Sequence, residues 1–191
     1  MSLKGFNHNI YRVVSEGSRV LDLGCGNGDL LHTLISKKNV QGYGIEINFD
    51  SVLSCIKKGI PVFHGDISEA VTEFKQHAFD TVILSQTLQQ VHHPIFLLRE
   101  IVRVGKTAIV TFPNFAHINV RLSLLFGKIP QTKALPYHWY DTPNIRVASI
   151  KSFRQLCHQE GFEILHEQTT LCRGFSNLFN SKGFFILRGN V

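Results

Sequence analysis

The chain has 191 residues, the size of a single domain, and its 43% hydrophobic and 18% charged content excludes a disordered polymer. No apolar stretch reaches the roughly 18–20 residues that a membrane-spanning helix needs; the longest uncharged run, Thr107 to Val120, is interrupted by Pro113, Asn114 and His117. The formal charge of +6 is spread over Lys37, Lys38, Lys57, Lys58, Arg99, Arg103, Lys106, Arg121 and Lys128, mostly at the ends of predicted helices, so it reads as a solvated surface and not as a nucleic-acid footprint.

Short β-branched runs alternate with amphipathic segments, the pattern of a parallel sheet with crossover helices. Phe6, Ile10, Val13 and Val14 recur at helical spacing. Arg19 to Leu23 reads as a buried strand, and Leu30, Leu31, Leu34 and Ile35 give the next helix its apolar face. Gly42 to Glu46 is the second strand, followed by a helix carrying Val52, Leu53 and Ile56; Pro61 to His64 is the third strand. Asp80 to Leu84, apolar through its centre, is a fourth strand buried on both faces. Pro94 suits the first turn of a helix carrying Phe96, Leu97, Leu98 and Ile101, and Thr107 to Phe112 is the fifth strand. Ser152 is the expected cap of a helix through His158 that Gly161 ends. Phe162 to Glu167 and Phe184 to Leu187 complete seven strands, expected to form one domain over residues 1–191.

The segment 113–149 breaks this rhythm. A short helix around Val120, Leu124 and Leu125 gives way to irregular sequence rich in Pro, Tyr, Trp and His. Such an excursion is usually functional, and its apolar content (Phe115, Phe126, Tyr137, Trp139, Tyr140) suits a lid over a ligand, a partner interface, or both. At the start, Met1-Ser2-Leu3-Lys4 leads into polar residues and not into a signal-peptide core, so the cytoplasm is the expected location. Cys25, Cys55, Cys157 and Cys172 form no CxxC pair and point to neither a zinc site nor a disulfide framework. Cys25 reads as a space-filling loop residue.

The sharpest motif is Val20-Leu21-Asp22-Leu23-Gly24-Cys25-Gly26-Asn27-Gly28, a buried strand running through a glycine-rich turn into a helix. Glycines there permit a tight turn and close ligand approach. A dinucleotide fingerprint would carry a third glycine at Asp29, and a Walker loop would end in GK[ST]. Acids at Asp22 and Asp29 ill suit a pyrophosphate and better suit a ligand with sulfonium and ammonium charges. Glu46, ending the second strand, is placed to accept ribose hydroxyls. Asp66, after the third strand, is placed to accept from an adenine amino group, with Ile47 and Ile67 on either side of the ring.

With these residues the chain resembles the class I methyltransferases dependent on S-adenosylmethionine (SAM). The resemblance implies a Rossmann-like α/β fold with a seven-stranded, mostly parallel sheet in the order 3-2-1-4-5-7-6 and helices on both faces. It also implies a SAM or S-adenosylhomocysteine site built from Asp22, Gly24, Cys25, Gly26, Gly28, Glu46, Ile47, Asp66, Ile67 and Ser85. Three later blocks narrow it: Leu84-Ser85-Gln86-Thr87-Leu88-Gln89, Phe112-Pro113-Asn114-Phe115, and Thr132-Lys133-Ala134-Leu135-Pro136-Tyr137 continuing through Trp139-Tyr140-Asp141-Thr142-Pro143-Asn144-Ile145. These resemble the MetW family of methionine biosynthesis, although Asn27 stands where that family more often has an acid. The narrower resemblance implies an accessory partner of a homoserine O-acyltransferase; the alternative is a methyltransferase acting on a small molecule.

A catalytic base is not identified. His138, Tyr140 and Asp141 could serve as one, or belong to a packed lid or interface, and the latter is preferred. Ser85-Gln86-Thr87-Leu88 stands where amino-methylases of DNA carry [DN]PP[YFW], and no proline precedes a cysteine, which removes the best-known routes to base methylation. His92, His93, His117 and His138 match no common metal-ligand spacing, so no metal site is expected.

Overall fold

The computed structural model describes residues 6–168 and 175–189. Met1 to Lys4 and Cys172 lie outside the described residues. In chain order the elements are α1 (Phe6–Val13), β1 (Arg19–Leu23), α2 (Asp29–Lys38), β2 (Gln41–Glu46), α3 (Phe49–Lys57), β3 (Val62–His64), α4 (Ile67–Ala70), β4 (Phe79–Ser85), α5 (Pro94–Val104), β5 (Gly105–Pro113), α6 (Ile118–Leu125), α7 (Ile150–Gln159), β6 (Glu163–Glu167), α8 (Ser176–Phe179) and β7 (Lys182–Arg188). The strands form a seven-stranded sheet in the order β3-β2-β1-β4-β5-β7-β6, as the resemblance implied. β1 pairs in parallel with β2 and β4, β2 pairs in parallel with β3, and β6 runs antiparallel to β7.

The chain gathers into two compact units. One holds the described residues up to Ser85 together with Ile95–Ile109; the other holds Gln86–Pro94 and the described residues from Val110 onward.

In the first unit, β1 and β4 are buried almost throughout, because parallel strands covered on both faces need continuous apolar runs. Val20, Leu21 and Leu23 of β1 and Val82, Ile83 and Leu84 of β4 are buried, as are Leu31 and Leu34 of α2 and Leu97, Leu98 and Ile101 of α5. Asn48 caps α3, its side chain accepting from Ser51 N at 3.0 Å, and Asp66 caps α4 through Ser68 N at 2.7 Å. Lys37 and Lys38 lie in the last turn of α2, Lys57 in that of α3 and Arg103 in that of α5, where cations oppose the helix dipole. Lys58 pairs with Asp29, Lys106 with Asp80, and Arg103 with Glu100. The positive charge is accordingly dispersed over helix ends and ion pairs.

In the second unit the core is aromatic. Phe112 lies 4.8 Å from Phe153 and 5.9 Å from Phe185, ring centre to ring centre, and Phe153 lies 4.8 Å from Phe185. Arg154 of α7 grips the side chain of Glu167 in β6 with two hydrogen bonds, of 2.7 and 3.0 Å. One sequence expectation is corrected in this unit. The cap of α7 is Ser149, which accepts from Ser152 N at 3.1 Å, so the helix starts a turn earlier than a cap at Ser152 allowed. In α6 only Val120 is buried, whereas Leu124 and Leu125 face solvent.

Gly183 shows what the aromatic core requires. A Cβ there would stand 2.5 Å from Cζ of Phe112, a ring fixed on its other sides by Phe153 and Phe185. Gly183→Ala is therefore expected to destabilise the protein by about 1–3 kcal/mol, read as a lower midpoint in chemical denaturation. An unchanged midpoint would show that the ring can yield.

Candidate functional site

The glycine loop follows β1, and its shape is set by backbone bonds. Gly24 N and Cys25 N both donate to Ile45 O of β2, at 2.8 and 3.2 Å, and Gly28 N donates to Cys25 O at 3.0 Å. Gly24, Gly26 and Gly28 have φ of 73°, 53° and 73°, a left-handed region that side-chain-bearing residues avoid. The glycines then divide their labour. A Cβ on Gly26 would meet nothing within 4 Å, so open space lies beside that residue; a Cβ on Gly28 would stand 2.5 Å from Ile60 Cδ1 and 2.8 Å from Cys55 Sγ. Gly26 leaves room for a ligand, whereas Gly28 lets the start of α2 pack closely.

Glu46, at the end of β2, is buried, and its carboxylate holds this loop in place. One oxygen accepts from Gly26 N and the other from Asn48 N, each at 2.8 Å. A carboxylate oxygen has a second lone pair, so both remain able to accept from a ligand. Asp22, on β1, is only 3% exposed, and among the described residues neither a hydrogen-bond donor nor a cation is paired with its carboxylate. Burial, reinforced by the charge of Glu46, pushes the Asp22 carboxyl up to about 7. Two buried acids thus stand on neighbouring strands at the loop, and among the described residues no cation is paired with either.

The other expected residues are distributed around strand ends. Glu46 pairs in register with His64, so Ile47 and the segment from Gly65 to Ile67 leave from adjacent strand ends. Ile67 is buried at the start of α4, Ile47 is exposed, and Asp66 is exposed with one oxygen committed to capping α4. Ser85 ends β4 one residue beyond Leu84, which pairs with Leu23, so it lies at the strand end beside the glycine loop. Asp29, counted in the sequence as a flanking acid, is neutralised by Lys58 Nζ at 2.6 Å; the case against a pyrophosphate rests on Asp22 and Glu46.

Sequence reasoning missed several partners. Asn48 carries the N–H that holds Glu46, and the small polar residue three before Ser51 was its available signal as a helix cap. Cys55, far from Cys25 in sequence, brings its sulfur within 3.9 Å of the Cys25 sulfur, and burial pushes both thiols up, which makes them poor thiolates. Cys25 also occupies the space over Gly44, where a Cβ would lie 2.6 Å from its Sγ, so it fills space as expected. Among the described residues no three His, Cys, Asp or Glu side chains come together as a metal site, and no helix is long and apolar enough to cross a membrane.

The strand order and the glycine loop after β1 define the fold of class I methyltransferases. A SAM-dependent methyltransferase from Archaeoglobus fulgidus superposes with a TM-score of 0.66 at 17% identity, over 95% of this chain and 90% of that one. A protein from Pyrococcus horikoshii OT3 does so with a TM-score of 0.70 at 16% identity, over 97% and 88%. The chain belongs to the MetW family: residues 6–186 match the family described as methionine biosynthesis protein MetW. It is 35% identical over 161 residues to the bifunctional methionine biosynthesis protein MetXA/MetW of Rhodopirellula baltica, covering 79% of this chain but only 26% of that longer protein.

The raised Asp22 carboxyl has a consequence for the ligand-free protein. The folded state holds a proton that the unfolded chain releases above the ordinary value of 3.8, so this group's contribution to stability falls as pH rises from about 4 to about 7. Asp22→Asn should flatten that dependence and leave the protein more stable than wild type at alkaline pH, measured as Tm across a pH series. A wild-type curve that rises over the same window, with Asp22→Asn making no difference, would contradict the burial of an unpaired acid.

Proposed function

We propose that the chain binds SAM or S-adenosylhomocysteine at the glycine loop and serves as an accessory partner of a homoserine O-acyltransferase in methionine biosynthesis. The observation that carries the ligand reading is the pair of buried acids, Asp22 and Glu46, with no cation paired with either among the described residues. A ligand bearing ammonium and sulfonium charges supplies what this site lacks. The methyl donor, when bound, offers an electrophilic methyl group on its sulfonium. Around it the chain's own residues have distinct tasks. Asp22 gives up its proton and faces the positive charge. Glu46 accepts from the ribose hydroxyls while keeping Gly26 and Asn48 in place. Gly26 leaves its side of the loop clear. Asp66 accepts from the adenine amino group with the oxygen not used in capping α4, and Ile47 and Ile67 border the ring. Gly24, Cys25, Gly28 and Ser85 complete the surroundings.

The partner reading draws support from the relative in which MetXA and MetW are joined in one protein, and from the surface of the segment 113–149. Trp139 and Tyr140 are 70% and 69% exposed and packed edge to face at 5.6 Å, and Leu125 and Phe126 are exposed as well. Rigid exposed aromatics of this kind are the usual centres of protein interfaces.

The ligand placement is tested by calorimetry. Losing a charged acceptor costs roughly 1.5–3 kcal/mol, so Glu46→Ala should weaken SAM binding about 10- to 150-fold. Because Glu46 also holds two backbone N–H groups, a modest fall in Tm should accompany it. Gly26→Val should abolish binding. Unchanged affinity in Glu46→Ala would sink the placement.

The partner claim is tested by pull-down with the acyltransferase and by acylation kinetics with and without SAM. Trp139→Ala and Tyr140→Ala should remain folded and bind SAM while losing the acyltransferase. Association at wild-type strength in both variants would remove the segment as the interface.

A further inference from the structure

The second unit contains a cavity of about 180 Å³ that the glycine-loop site does not use. Its walls are largely apolar, with Phe115, Ile129, Leu135 and Trp139 among them, and its polar lining includes Gln89, Asn144 and Arg146. Drug-sized ligands occupy roughly 300–1,000 Å³, so this volume suits a smaller molecule.

Three features of the lining specify that molecule's chemistry. Gln89 is 6% exposed and pinned in place: its Nε2 donates to Gln86 O at 2.6 Å, while its backbone carbonyl accepts from Ile145 N and Arg146 N, each at 3.0 Å. The Gln86 carbonyl fixes which end of the Gln89 amide is which, since the reverse orientation would set oxygen against oxygen. Oε1 of Gln89 is therefore the outer atom, and it has no hydrogen-bond partner among the described residues. Oδ1 of Asn144 is likewise unpartnered. Both residues line the cavity and both oxygens are buried, where an acceptor is costly to leave unpaired. The third feature is Arg146. Its guanidinium donates to His92 O at 3.0 Å, it has no carboxylate partner among the described residues, and the lining contains no acid.

We propose that this cavity binds a small amino acid with an apolar side chain. Its carboxylate lies on Arg146, its ammonium donates to Gln89 and Asn144, and its side chain lies among the apolar walls. Aromatic faces such as that of Trp139 add a favourable surface for the ammonium. The proposal is independent of the SAM reading, since every residue in it belongs to the second unit.

The probe is L-methionine, titrated by calorimetry and by amide NMR with S-adenosylhomocysteine at saturation, so that the glycine loop is not available to it. Methioninol, which lacks the carboxylate, and the desamino acid, which lacks the ammonium, are titrated in parallel. Methionine should bind saturably in the millimolar range or tighter, and each analogue at least about tenfold more weakly. Arg146→Gln should weaken methionine by a similar factor while leaving the affinity for S-adenosylhomocysteine unchanged. Gln89→Leu should abolish methionine binding while leaving the affinity for S-adenosylhomocysteine unchanged. Failure of S-adenosylhomocysteine to bind would count against the glycine-loop reading alone, and the Arg146 and Gln89 variants would still report on the cavity. The cavity proposal is overturned if methionine shows no saturable binding up to tens of millimolar, if the analogues bind equally well, or if neither variant alters its affinity.

Discussion

The first unit is organised around two buried acids, Asp22 and Glu46, that have no cationic partner among the described residues. Asp22 and Glu46 stand on neighbouring parallel strands, and placing two acids in a low-dielectric interior is unfavourable unless something compensates. For Glu46 the compensation is partly internal, because the backbone N–H groups of Gly26 and Asn48 satisfy its oxygens. For Asp22 it is not, and its carboxyl shifts toward neutrality. The left-handed Gly26 and the Asn48 cap each bring a backbone N–H to Glu46, and Gly28 packs closely against Ile60 and Cys55. This arrangement separates the site from a phosphate-binding turn of similar sequence, where a helix N-terminus is left clear of negative charge.

Much of this was legible in the sequence because the governing signals are local. Arg19 to Leu23 was bounded correctly as a strand because an apolar run ends abruptly in glycines, and Pro94 marked the first residue of its helix because only that turn tolerates a missing N–H. What was illegible depended on contacts between residues distant in the chain. The cap of α7 was placed at Ser152 because two serines of similar propensity lie three apart, and only the backbone shows that Ser149 accepts the bond. Asp29 was counted among the site acids because sequence does not reveal that Lys58 reaches it. Nor could the two orphaned amide oxygens be foreseen, since an unpaired atom is a property of everything around it.

The family and the fold carry different weight. Matching most of the chain to the MetW family fixes its lineage, and the strand order fixes its architecture, but a methyltransferase fold does not by itself imply methyl transfer. Function has to be argued from sites. The proposed ligand rests on the glycine-loop site, and the proposed partner rests on the exposed aromatics of the segment 113–149. A protein so equipped is suited to responding to its ligand in the presence of a partner, and any such coupling acts equally in both directions.

The central claim, that an uncompensated acid at Asp22 awaits a cation, has a direct thermodynamic signature. A cation that binds beside Asp22 lowers its pKa, so binding at a pH about one unit below the Asp22 value must release a proton. The measurement is SAM titration by calorimetry in buffers of differing ionisation enthalpy, with Asp22→Asn as the comparison. The account predicts net proton release for wild type and none for Asp22→Asn. Binding of SAM to wild type with no proton exchanged, or with a proton taken up, would contradict it.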